Sequence, residues 1–118
     1  MTMPEFKQLV DEVKRDVREI SAEQLKQMKA GGEDFVLIDV REAEEWPKGT
    51  IPGAKTISRG VLELKIDQVT TDMDRKIVLY CAGGSCSALA VHMLQRMGFR
   101  NVLSLAGGYN GWKNSEAK

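Results

Sequence analysis

Two cysteines, one histidine and three prolines in 118 residues exclude several chemistries at once. Two cysteines cannot staple a small fold in the manner of disulfide-rich secreted domains. Together with His92 they also fall short of the four ligands that structural zinc takes, so no metal is expected. Charge of either sign is not in excess, since 17 basic residues balance 17 acidic ones. Neither a nucleic-acid backbone nor an anionic membrane surface is therefore an expected partner. No apolar run approaches the roughly 18 residues needed to cross a bilayer. The N-terminal MTMPEFKQLVDEV lacks a basic start before an apolar core and does not read as a secretory signal. The cytoplasm is the expected compartment, with both thiols reduced. Repeats and low-complexity stretches are absent from the sequence.

What is present fits one domain with a real core: 42% of the residues are hydrophobic. Phe6, Leu9, Val10, Val13, Val17 and Ile20 recur at spacings of three and four, which predicts an amphipathic helix over about residues 5–19, started by Pro4. Residues 1–20 are thus expected to form a helical extension and 21–118 the main domain. The extension can be a docking arm, a dimer contact or a helix packed on its own domain, and the oligomeric state stays open. Ser21-Ala22-Glu23-Gln24 has the form of a capping box before a short helix ending at Gly31-Gly32. Short apolar strands are expected at Phe35–Ile38, Lys76–Tyr80 and Val102–Leu105, with a further one over Lys55–Ser58. A helical turn or two over 41–46, a short helix over 61–69, a helix over about 86–97 and a last short helix lie between and after them. Strands alternating with helices predict an α/β sandwich with a largely parallel sheet. Ligands of such folds bind at the carboxyl ends of the strands, where Asp39, Cys81 and Ala106-Gly107 all fall.

The segment Tyr80–Ala90, YCAGGSCSALA, carries the chemistry. A strand delivers Cys81 to a small glycine-rich loop that opens a helix. Backbone N–H groups of such a loop can turn inward, and the helix adds its positive end, a setting that stabilises a thiolate or another sulfur anion. A free cysteine has a pKa of about 8.5, and lowering it by two units takes about 2.7 kcal/mol. A helix terminus supplies about 0.3–1 kcal/mol. Several N–H groups from Ala82 to Ser87 must therefore contribute, each as a hydrogen bond to a charged acceptor. Gly83 and Gly84 permit the turn and the close approach of backbone, and the Ser85 and Ser87 hydroxyls can add donors. The competing reading is a buried, inert Cys81 with glycines that only make a turn.

Three ordered motifs resemble those of single-domain rhodanese (thiosulfate sulfurtransferase-like) proteins, over Ile20–Trp112. They are Leu37-Ile38-Asp39-Val40-Arg41-Glu42 with Glu45-Trp46 and Gly49-Thr50-Ile51-Pro52-Gly53-Ala54; the Cys81 loop; and Ser104–Trp112, SLAGGYNGW. Ser58–Glu63 is similar to a segment of bacterial single-domain members. The resemblance implies a rhodanese-like sandwich around a largely parallel five-stranded sheet. It implies that Cys81 is the nucleophile, taking sulfur from thiosulfate or another donor and passing it to cyanide or a thiol, without a cofactor. Small sulfur-containing anions and a protein sulfur donor or acceptor are the partners it suggests. Ala82, Gly83, Gly84, Ser85, Cys86 and Ser87 would form the binding loop. Related phosphatases of this fold have a loop one residue longer that ends in arginine, whereas Cys81–Cys86 spans six residues.

Two positions depart from the family pattern. Thr50 replaces a histidine that is more often structural than catalytic. Cys86 stands where most catalytic rhodaneses close the loop with arginine, whose hydrogen bonds to a sulfonate are worth roughly 1.5–3 kcal/mol. Thiosulfate turnover is accordingly expected to be weak. Cys86 can be a neutral replacement or a thiol that resolves an oxidised or sulfur-loaded Cys81. Arg59 is a candidate for the missing positive charge at the pocket mouth. Asp39 and Arg41 read as an ion pair supporting the loop. The alternative to an enzyme is a sulfur carrier or redox-responsive module built on the Cys81/Cys86 pair.

Overall fold

The computed structural model describes residues 3–116. Helix α1 (Pro4–Lys14) leads into strand β1 (Arg18–Ile20), and α2 (Ala22–Ala30) into β2 (Val36–Asp39). A 3-10 helix (Ala43–Lys48) and the two-residue β3 (Lys55–Thr56) follow. Next come α3 (Leu62–Lys65), flanked by single 3-10 turns, and β4 (Ile77–Tyr80). Helix α4 (Ser85–Met97), β5 (Val102–Leu105) and α5 (Gly108–Glu116) complete the chain. The five strands form one all-parallel sheet in the order β1-β5-β4-β2-β3.

Every residue of β2, β4 and β5 is buried, as expected of strands covered on both faces. Alternate side chains sort to opposite sides. Ile38, Ile77 and Leu79 pack with Val13 of α1, Leu62 of α3 and Ala88, Val91 and Leu94 of α4. Leu37, Val78, Tyr80 and Leu105 pack with Leu25 of α2 and Trp112 of α5. The capping box at Ser21 is formed: its hydroxyl accepts the Gln24 N–H at 3.0 Å and Gln24 Oε1 accepts the Ser21 N–H at 2.8 Å.

The first helix is shorter than its apolar spacing predicts. It stops at Lys14, and Arg18–Ile20 runs as an edge strand beside β5, with Ile20 opposite Leu105. Val17 and Ile20 are buried as the pattern requires, but a spacing of three fits a turn into a strand as well as it fits a helix. The open edge of β5 supplies partners for this backbone, including the Ala106 N–H on the Ile20 carbonyl at 2.8 Å. The helix expected over 61–69 is divided into a 3-10 turn at Arg59–Val61, α3, and a second 3-10 turn at Ile66–Gln68. The Lys55–Ser58 strand is reduced to two residues. Helix α1 lies along α4 and buries Val10 and Val13 on its own domain.

Candidate active site

Strands β2, β4 and β5 are central and parallel, so their carboxyl ends open on one edge of the sheet. Cys81 leaves β4 there and is 6% exposed. The chain then turns through Ala82, Gly83 and Gly84 and enters α4 at Ser85. This turn folds the backbone around the sulfur. Cys81 Sγ accepts the Gly84 N–H at 3.1 Å and the Ser87 N–H at 3.2 Å. The Ser87 hydroxyl lies 3.5 Å from the same sulfur. Ser87 is itself held by the Gly84 carbonyl at 3.3 Å and the Ser104 hydroxyl at 2.8 Å, all within the buried interior. The N–H groups of Ser85 and Cys86, in the first turn of α4, have no carbonyl one turn back within the helix to bond.

Two glycines let this cradle close. Gly84 caps α4 at φ 101°, in the region that favours glycine. Gly108 has φ 57°, and a Cβ there would overlap the carbonyl oxygens of Cys81 and Ala82. The start of α5 thereby presses on the back of the loop: the Tyr109 N–H reaches the Cys81 carbonyl at 2.8 Å and the Asn110 N–H the Ala82 carbonyl at 3.0 Å. The residues that bond to the loop are thus Tyr109 and Asn110, just past the Ala106-Gly107 expected beside Cys81.

At the end of β2, Asp39 and Arg41 form a buried ion pair with two parallel hydrogen bonds, Nη2 to Oδ2 at 2.8 Å and Nε to Oδ1 at 3.1 Å. Arg41 also donates to the Gly49 carbonyl at 2.7 Å and lies 4.2 Å from the centre of the Tyr109 ring. Burial opposes the Arg41 charge, but the hydrogen bond and charge of Asp39 outweigh it, and the guanidinium pKa is raised. This pair fastens the 42–49 segment to the sheet. Tyr80 completes the brace, its hydroxyl accepting the Ile51 N–H at 3.0 Å, and burial pushes its phenol pKa well up.

Cys81 opens into a cleft of about 430 Å³. Ala82, Gly83, Ser85 and Cys86 form its floor; Val40, Arg41, Glu42, Glu45 and Arg59 one wall; Phe6 of α1 the other. Arg59 lines the cleft, but it is bound to Glu63 at 2.6 Å. Cys86 is exposed, and neither cysteine is in a disulfide. Partial desolvation pushes the Cys86 thiol pKa up, the neighbouring Cys81 adds to the rise, and Arg59 pulls against it. Ser104 and Phe6 are the residues that the sequence reading left out. A serine inside the apolar run Val102–Leu105 was the signal for the first. Phe6 sits on the apolar face of α1, and no local pattern places it over a cleft formed 75 residues away.

Among the described residues no helix is long and apolar enough to cross a membrane. The chain is 34% identical to a sulfurtransferase of Allochromatium vinosum over 96 residues, 81% of this chain and 88% of the relative. It is 33% identical to the thiosulfate sulfurtransferase GlpE of Shewanella oneidensis over 100 residues, 85% of this chain and 96% of that protein. A Rhodopseudomonas palustris protein of unknown function, described as a possible tyrosine phosphatase, superposes with a TM-score of 0.85 at 32% identity, covering 98% of this chain and 95% of its own. The Rhodanese-like domain family matches residues 21–115, from the capped start of α2 through the Cys81 cradle to α5, and the chain belongs to that family.

Proposed function

We propose that this protein is a sulfurtransferase that carries sulfane sulfur as a persulfide on Cys81. The observation that carries the reading is the cradle itself: two backbone N–H groups aimed at Sγ, at a helix N-terminus, in a pocket open to small molecules. The Cys81 thiolate attacks the sulfane sulfur of a donor; the new S–S bond forms as the donor's bond to that sulfur breaks. From thiosulfate the leaving group is sulfite, which departs with the bonding pair. A nucleophile such as cyanide or a thiolate then takes the outer sulfur and restores the Cys81 thiolate. No step needs an external oxidant or a cofactor.

Thiosulfate is a weak donor in this reading. Cys86 brings no charge to the loop, and the two arginines of the cleft are already joined to Asp39 and Glu63. The same argument weighs against phosphate-ester hydrolysis, whose dianionic substrate would meet no unpaired arginine in the cleft. A reducing compartment such as the cytoplasm suits a site that needs a free thiol.

Intact mass spectrometry of reduced protein tests the proposal, with thiosulfate or inorganic hydrodisulfide as donor and cyanide as acceptor. A gain of one sulfur that is lost in Cys81→Ser, kept in Cys86→Ser and removed by cyanide is expected. If no sulfane donor adds sulfur, neither these two nor an organic persulfide, the proposal is wrong. If the gain instead needs both cysteines, or converts to a loss of two hydrogens, the Cys81/Cys86 pair works as a redox module.

A further inference from the structure

The cleft above Cys81 does not end at Phe6. A second hollow of about 300 Å³ lies against α1, lined by Phe6, Lys7, Val10, Asp11, Lys14 and Ser85. Phe6 and Ser85 belong to both hollows, so the two adjoin at the mouth of the cradle. Phe6 is half-buried and offers an aromatic face at this junction. Beyond it the charge changes sign. The Cys81 cleft has its arginines paired and the carboxylates Glu42 and Glu45 on its wall. The α1 hollow carries two lysines against one aspartate. Lys14 is shared with Glu19 at 3.6 Å, and Lys7 is exposed and forms no ion pair among the described residues.

Thiosulfate is too small to use this arrangement and finds no unpaired arginine where its sulfonate would sit. A longer donor satisfies both hollows. We infer that Phe6 and Lys7 build a second subsite for the organic body of a small, carboxylate-bearing persulfide, R–S–SH, whose sulfane sulfur reaches Cys81. The apolar part of R lies on Phe6 and Val10, and its carboxylate is drawn to Lys7. The Cys81 thiolate attacks the outer sulfur; the bond between the two donor sulfurs breaks; RS⁻ leaves with the bonding pair, and Cys81–S–SH remains. Atoms and electrons balance without another reactant. The inference rests on the sulfurtransferase reading and gives α1, which lies outside the family match, a part in choosing the donor.

The test compares two donors in the same full-length protein: glutathione persulfide, which has an organic body and carboxylates, and inorganic hydrodisulfide, which has neither. The rate of sulfur gain on Cys81 is followed by intact mass, and the readout is the ratio of the two rates. Phe6→Ala is expected to lower this ratio about tenfold, as loss of an aromatic contact would. Lys7→Glu, at an exposed position, is expected to lower it about threefold, and Lys7→Arg to retain it. A ratio unchanged in both Phe6→Ala and Lys7→Glu overturns the subsite while leaving the sulfurtransferase standing. If neither donor loads the wild-type protein, both readings fall together.

Discussion

At the floor of the cleft, charge is to be held by backbone; at its rim, side-chain charges hold one another. The Cys81 sulfur receives the Gly84 and Ser87 N–H groups, with no basic side chain hydrogen-bonded to it among the described residues. In the lining of the same cleft, Arg41 is bound to Asp39 and Arg59 to Glu63. Backbone donors fixed by a helix start and two glycines are preorganised, and they favour one negative atom at one place. Paired arginines do something else: they brace loops and leave little net field for a dianion. On the proposed function, this difference is what would let the site hold sulfur on the protein while serving thiosulfate poorly.

The largest effect that can break this comparison is at the floor. Cys81→Ser should abolish sulfur gain altogether, read by mass; residual loading would place the chemistry elsewhere. Gly108→Ala attacks the floor from behind, since its Cβ would overlap two carbonyl oxygens at a positive φ. It should cost more than about 2 kcal/mol of stability in urea denaturation, and a smaller loss would mean that the α5 turn gives way easily. At the rim, Asp39→Asn leaves the Arg41 guanidinium buried without its partner's charge. A loss of about 3 kcal/mol is expected by the same measurement. If stability is untouched and only sulfur loading falls, the pair is part of the chemistry and not a brace.

Cys86→Arg sharpens the comparison by giving the floor a side-chain cation. Thiosulfate loading should rise roughly 10- to 100-fold, the worth of a charge-assisted hydrogen bond, while loading from hydrodisulfide changes little. The smallest effect concerns Cys86 itself. A raised pKa means less thiolate at any given pH, and the thiolate is the reactive form. Iodoacetamide labelling of Cys86, resolved by peptide mapping, should therefore reach half its maximum at a more alkaline pH than in a model peptide. Part of that shift should vanish in Cys81→Ser, because the neighbouring thiol is one of its causes.

Much of this site was legible in the sequence because its parts are local. A strand, Cys81, two glycines and a helix lie within one short segment, and the Ser21 box is contained in four residues. The Asp39–Arg41 pair spans two positions at the end of a strand. What escaped depends on chain brought from afar. Residues 18–20 become a strand because β5, more than 80 residues later, offers a free edge. Val17 and Ile20 carry the same apolar signal in either conformation. The hold on Ser87 by Ser104, and the place of Phe6 over the cleft, arise from packing between elements with no spacing to announce them. Arg59 lines the cleft, but no motif announces its neutralisation by Glu63 one helical turn away.

The central claim is that backbone amides of the cradle hold the charge on sulfur. Amide ¹H–¹⁵N spectra of the reduced protein before and after loading with hydrodisulfide test it most directly, with Cys81→Ser as the control. The account predicts that the largest changes fall on the amides from Ala82 to Ser87, are absent in Cys81→Ser and revert with cyanide. Changes centred instead on the Arg59 and Arg41 side chains, with the cradle amides unmoved, would contradict it.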